Sequence, residues 1–152
     1  MNCWKKRWSG WQNRQRIATF ANFQLQKQFF MKTEKQIKGR IGEDLAVDYL
    51  LSKGYALLER NWTIGHLEVD IIASTVDFLV IVEVKTRKSN TFGEPEDFVT
   101  LQKQRNLIRA AAAYIQKFGI TKEVRFDILS VIIKEGQEGE VHHIPDAFKP
   151  RW

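Results

Sequence analysis

The 152-residue chain has a single cysteine, Cys3. One thiol excludes an intramolecular disulfide and any metal site built from several thiolates. No apolar run reaches the roughly 18 to 20 residues that a helix needs to cross a bilayer. The longest runs are strand-length, so no membrane partner is expected. The basic N-terminus is not followed by an apolar run of the signal-peptide kind, and a cytoplasmic location is the expectation. Residues 1–30 lack acids altogether while carrying Lys5, Lys6, Arg7, Arg14, Arg16 and Lys27. Taking these six from the 24 basic residues leaves 18 against 18 acids over residues 31–152. The net charge of +6 therefore belongs to the first 30 residues, and the remainder offers a polyanion no global attraction.

What the first segment does have is Trp4, Trp8 and Trp11, three of the five tryptophans, among many Gln and Asn. Three readings stand. A basic aromatic tail holds nucleic acid by phosphate attraction and stacking. A targeting segment has the same lack of acids. An upstream extension without a folded role, with Met31 as the functional start, is the third, in keeping with ragged termini generally. The expected organisation is an extension over residues 1–30 and one domain over 31–152, long enough for a single core.

Within that domain the periodicity is orderly. Ile41, Leu45, Ala46, Tyr49 and Leu50 recur at helical spacing between Gln36 and Lys53, and Gly54 comes next as a terminator. Tyr55 to Trp62 reads as a first strand. Leu67 to Ala73 and Phe78 to Thr86 are β-branched runs separated by four turn residues, the pattern of a hairpin. After a polar loop with Gly93 and Pro95, Phe98 to Phe118 is rich in helix formers and ends at Gly119. Val124 to Ile133 is another buried strand, and Val141 to Ile144 a short last one. Helix, three strands, helix, strands describes an α/β domain with a mixed sheet flanked by helices. The central strands are apolar on both faces, as in a sheet covered on both sides.

Inside those strands stand charges. Asp70, Glu83 and Lys85 interrupt apolar runs, although burying an unpaired charge costs several kcal/mol or forces neutralisation, on the order of 2–7 kcal/mol even for neutral polar groups. Strand alternation puts Glu83 and Lys85 on one face and Val82 and Val84 on the other. Asp70 and Glu83 lie on adjacent hairpin strands, so their carboxylates repel unless something positive stands between them. Lys85 is one candidate and a hard divalent cation another, since Mg²⁺ is held by one or two carboxylates with water and phosphate. On a helical projection Glu43 falls between Leu50 and Val47, facing the sheet as a third acid. One reading is metal-assisted phosphodiester hydrolysis: Asp70 and Glu83 hold Mg²⁺ or Mn²⁺, Glu43 completes the site, and Lys85 orients water or stabilises developing charge. The plainer reading is a Glu83–Lys85 pair on a sheet face, with Asp70 capping a strand end.

The residues "EVDII" followed by "IVEVKTR" resemble the PD-(D/E)xK signature carried by restriction endonucleases and archaeal Holliday-junction resolvases. More of the chain resembles the YraN family of uncharacterised bacterial proteins. "GRIGEDLA" with Glu43, "ERNW", "LEVDII" with Glu68 and Asp70, "VEVKTR" with Glu83, Lys85 and Arg87, "FGEPEDFVTLQKQ" with Lys103, "RFDI" and "HHIPDAF" all match. Leu67 stands where that family usually has Gly, and residues 1–30 have no counterpart. The resemblance implies a restriction-endonuclease-like fold and a site of Glu43, Asp70, Glu83 and Lys85. It also implies nucleic acid as partner, DNA ahead of RNA, and the homodimer of symmetric resolvases.

Glu68 shares a strand with Asp70 and is either a supporting acid or a polar strand start. Arg87 and Lys88 leave the Glu83–Lys85 strand beside the proposed site and are placed for phosphate contacts. Phe92 is placed to stack on a base or to pack. Lys103, Arg105 and Arg109 lie on the second helix, facing either phosphate or solvent. His142 and His143 face opposite ways and make a poor metal pair, whereas Arg125 and Asp127 share a strand face as a structural pair. A metal-dependent nuclease leads. A nucleic-acid-binding module that keeps the nuclease fold is the alternative, and a hydrolase of another phosphate ester is the third reading.

Overall fold

Helix formation in the first element arises from its apolar stripe. In the computed structural model, which describes residues 36–87, 99–134 and 139–150, helix α1 covers residues 36–52. It buries Ala46, Val47 and Leu50. Residues 39–152 form one compact unit that contains the whole sheet. Gly54, at φ 82°, ends α1. Tyr55 N–H returns to Leu50 O at 3.0 Å and Gly54 N–H to Leu51 O at 3.0 Å, the paired bonds of a left-handed helix stop. Ile41 is 43 % exposed, so the apolar arc is wider than the contact. Consecutive helical residues are 100° apart, and Gly42, the next residue, is the one turned to the sheet.

Three antiparallel strands come next: β1 (Ala56–Ile64), β2 (Leu67–Ser74) and β3 (Phe78–Arg87). Helix α2 (Leu101–Phe118) crosses over to β4 (Glu123–Ile132), parallel to β3, and β5 (Glu140–Ile144) returns antiparallel to β4. The sheet order is β1-β2-β3-β4-β5, the helix-flanked mixed sheet expected from the sequence. Helix α2 starts at Leu101 rather than Phe98 because Thr100 caps it, its backbone extended and its hydroxyl accepting from Lys103 N–H at 3.3 Å. Phe92, Lys88 and the polar loop lie outside the described residues, as do residues 1–30.

Two apolar layers sandwich the sheet. Ile72, Leu79, Ile81, Phe126 and Ile128 pack under α2 against Leu107, Ala110, Ala111 and Tyr114. Ile71, Ala73, Val80, Val82, Leu129 and Val131 pack under α1 against Ala46, Val47 and Leu50. Each fully buried Ile, Leu or Val contributes about 1.5–3 kcal/mol, so residues on both faces of β3 and β4 are held firmly. That rigidity fixes where Glu83 and Lys85 point. No helix among the described residues is long and apolar enough to cross a membrane.

Candidate functional site

β2 and β3 pair from Ile71–Val82 to Ser74–Leu79, and one step further along that register stand Asp70 and Glu83. The ladder gives way here, while β3 stays paired to β4 as far as Arg87–Ile132. The Val84 N–H donates instead to Asp70 Oδ2, at 2.7 Å. Neighbouring backbone explains the divergence. Asn61 in β1 sits at φ 49°, a left-handed conformation that Asn tolerates better than most residues. Across it the strand changes sides. Trp62 packs under α2, whereas Arg60 and Asn61 reach back to α1, Arg60 to Asp44 at 2.6 Å and Asn61 Nδ2 to Glu43 Oε2 at 3.0 Å. The same change runs through β2, where Val69 lies under α2 and Ile71 under α1, with Asp70 at the turning point.

Glu83 comes two residues after Ile81 on the α2 side and is only 3 % exposed. Two ammonium groups hold it: Lys85 Nζ donates to Oε1 at 2.7 Å, and Lys103 Nζ, from the first turn of α2, lies 2.8 Å from Oε2. The second contact is an ion pair only. Among the described residues, Oε2 has no aligned hydrogen bond. A lysine in a helix's first turn has the wrong sign for the helix dipole, and it occupies the position where a capping box would place Glu or Gln. Its compensation is Glu83.

The electrostatics reflect this crowding. Burial, then the repulsion of Glu83, pushes the Asp70 carboxyl up to about 7; the Val84 N–H and the Lys103 charge pull the other way, and Glu43 adds to the rise. Burial works to lower the Lys103 ammonium, but contact with Glu83 and the charges of Glu83, Asp70 and Glu68 overcome it and hold Lys103 above the usual lysine range. Lys103, which strand alternation does not single out, is thus one of the charges that act on Asp70.

Of the residues singled out from the sequence, Asp70, Glu83 and Lys85 come together at the β2–β3 divergence. Glu43 is half-buried on α1, bonded to Asn61, close enough for its charge to reach Asp70. Gly42 permits this: a Cβ there would overlap the Thr86 side chain, so α1 approaches β3 closely only without one. Glu68 is exposed at the start of β2, its charge reaching Lys103. Arg87 ends β3, half-buried, with its carbonyl accepting from Ile133 N–H at 3.0 Å. Arg105 and Arg109 are exposed. Arg125 and Asp127 do form a pair, away from this site on the α1 face, joined by His143.

The acid pair has the chemistry of a divalent site. Asp70 and Glu83 are hard oxygen donors crowded in a poorly solvated position, and Oε2 of Glu83 keeps unused acceptor capacity. Among the described residues no three Asp, Glu, His or Cys side chains are gathered closely enough to hold an ion by themselves. In general Mg²⁺ needs only one or two carboxylates from a protein, its other ligands being water and phosphate.

Sheet order and flanking helices make this a mixed α/β domain, consistent with a nuclease-like α/β fold. The chain belongs to the Uncharacterised protein family UPF0102, the YraN family, whose model matches residues 42–131. That stretch contains Glu43, Asp70, Glu83, Lys85 and Lys103. The chain is 48% identical over 110 residues to a UPF0102 protein of Flavobacterium psychrophilum, covering 72% of this chain and 92% of that one. A UPF0102 protein of Bacteroides fragilis is 48% identical over 117 residues, 77% of this chain and 96% of its own. One from Dictyoglomus turgidum is 41% identical over 114 residues, 72% and 95%.

Proposed function

We propose that this chain is a metal-dependent nuclease, with Mg²⁺ or Mn²⁺ as cofactor and nucleic acid, DNA ahead of RNA, as substrate. The observation that carries the reading is the buried Glu83, set at a strand divergence beside a second carboxylate whose proton affinity is raised. A Glu83–Lys85 pair and an Asp70 cap are both present, as the plainer reading expects. That reading leaves the cost of crowding Asp70 against Glu83 and Glu43 unexplained. A stability role alone would be served better by an apolar residue at Asp70.

Asp70 and Glu83 would hold the cation, which supplies charge neutralisation at the phosphate and a more acidic bound water. Lys85 is 37 % exposed at its side chain, so beyond its bond to Glu83 it presents N–H groups outward, able to orient the attacking water or meet charge developing on the phosphate. Glu43, steadied by Asn61, stands behind Asp70 as a supporting acid. Arg87, at the end of the same strand as Lys85, would contact the flanking phosphates.

The test is cleavage of labelled single-stranded, duplex and four-way-junction DNA and of RNA by the full chain with Mg²⁺ or Mn²⁺, beside Glu83→Ala. The expected result is metal-dependent cutting that falls by about 100-fold or more in the variant, the scale of losing a group that acts at the transition state. Binding of nucleic acid without cutting by either protein would replace this reading with the non-catalytic binding module.

A further inference from the structure

Two lysines hold Glu83, and they are not equivalent. Lys85 reaches Oε1 from two residues along the same strand, in a well-aligned hydrogen bond of 2.7 Å. Lys103 reaches Oε2 from another element, at 2.8 Å, without hydrogen-bond alignment. Asp70, Glu83 and Glu68 all act on Lys103, and Lys103 acts on Asp70. Lys103 is thus the ammonium at the Glu83 oxygen that no aligned hydrogen bond engages, and Asp70 stands one register step beyond the last β2–β3 pair, opposite Glu83. With Oε1 engaged by Lys85, Oε2 is the oxygen with acceptor capacity left for a cation, and the Lys103 ammonium lies against it.

We propose that Lys103 is a built-in competitor for the divalent cation, its ammonium occupying the cation's place at Glu83 Oε2 and leaving when the ion enters. This rests on the nuclease reading and adds a regulation to it. A single positive charge keeps the acid pair compensated until a double one replaces it, which raises the cation concentration at which the site loads. The exchange is chemically balanced, because Oε1 stays with Lys85 throughout and only the partner of Oε2 changes. Lys103 is displaceable because its side chain is 31 % exposed, so the freed ammonium has a path to water along the first turn of α2. It then stands at the mouth of the site that the cation has filled.

The experiment measures Mn²⁺ affinity of the full chain, stripped of metal with chelator, by titration with electron paramagnetic resonance detection of free Mn²⁺. Wild type is compared with Lys103→Met and Lys103→Gln, each checked for folding by circular dichroism. Removing a like charge a few ångströms from the ion is expected to tighten binding about tenfold. A second measurement needs no variant. Lysine acetylation of wild type, read by mass spectrometry, is expected to label Lys103 faster with Mg²⁺ than without, relative to Lys149, whose side chain is 77 % exposed. Equal or weaker Mn²⁺ binding by the variants, or Lys103 labelling that Mg²⁺ leaves unchanged or slows, overturns the competition while leaving the metal site standing. No Mn²⁺ binding by any form at millimolar concentration overturns the metal reading and this inference with it.

Discussion

Two carboxylates of one sheet, Asp127 fully buried and Asp70 half-buried, meet opposite fates. Asp127, under α1, has a fully buried side chain. Its Oδ1 accepts from Arg125 Nε at 2.9 Å and the Asp146 N–H at 3.0 Å, and its Oδ2 from Arg125 Nη2 and faces His143 Nε2, both at 2.8 Å. Burial opposes ionisation there, but the His143, Arg125 and Asp146 bonds overcome it and hold Asp127 below the usual carboxylate range. Arg125 in turn donates to Tyr55 Oη at 2.7 Å, and its bond to Asp127 keeps the guanidinium charged. Asp70 has one backbone donor and two acidic neighbours, and moves the other way. A charge buried for structure is satisfied at every lone pair. On the proposed function, Asp70 is the contrasting case, a carboxylate whose further partner would be the cation.

Breaking the satisfied cluster should cost most. Asp127→Ala strands the Arg125 charge and releases both β5, through His143, and the turn at Asp146. The expected loss is about 3–5 kcal/mol, the range for removing one partner of a buried pair, read as a fall in urea midpoint. The fraction still folded should keep its cation affinity, since none of these groups touches Asp70 or Glu83. An Asp127→Ala protein as stable as wild type would end the contrast between the two clusters.

Next in size is the packing that brings the second helix face to the site. Gly42→Ala sets a methyl group into the Thr86 side chain, which must turn or be pushed aside. Overpacking of this kind costs about 1–3 kcal/mol. Because Glu43 is the next residue, the variant should also alter cleavage or Mn²⁺ affinity, whereas Gly39→Ala, where a Cβ meets nothing within 4 Å, should change neither. Equal behaviour of the two variants in a thermal melt would show that α1 does not approach β3 closely.

These contrasts also mark what the sequence discloses. Strand alternation is enough to put Glu83 and Lys85 on one face, because rigid β-branched neighbours leave period two no freedom. Helical projection turns Glu43 toward the sheet, and Arg125 and Asp127 are legible as a pair because they are two apart on one strand. Lys103 is not separable from a solvated helix charge, since a one-dimensional pattern does not say which strand a helix's first turn meets. The available signal is its sign, basic where a helix start favours an acid or Gln. The His143 contact needs the β4–β5 register, Leu129 opposite His143, which no local pattern fixes. Asn61 gives no warning either, as a single left-handed residue inside a strand leaves the strand's composition unchanged.

The effect of pH is the most specific. A carboxyl whose folded-state pKa lies above its unfolded value binds its proton more tightly when folded, so its stabilisation is complete at low pH and is lost as pH rises through the folded pKa. For Asp70 the window runs from the ordinary 3.8 to about 7. Without divalent cation, stability should therefore fall between pH 5 and 7 by at most about 1.4 kcal/mol per pH unit. The difference between wild type and Asp70→Asn reads this slope, because titrating groups that do not interact with Asp70 cancel. Asp127 contributes in the opposite sense, and only below about its ordinary 3.8, so acid unfolding does not intrude on the measurement. Millimolar Mg²⁺ should flatten the slope by favouring the ionised carboxylate. A wild-type curve parallel to that of Asp70→Asn from pH 5 to 7, with or without Mg²⁺, would mean that Asp70 is as well compensated as Asp127, and that the site was never held in want of a cation.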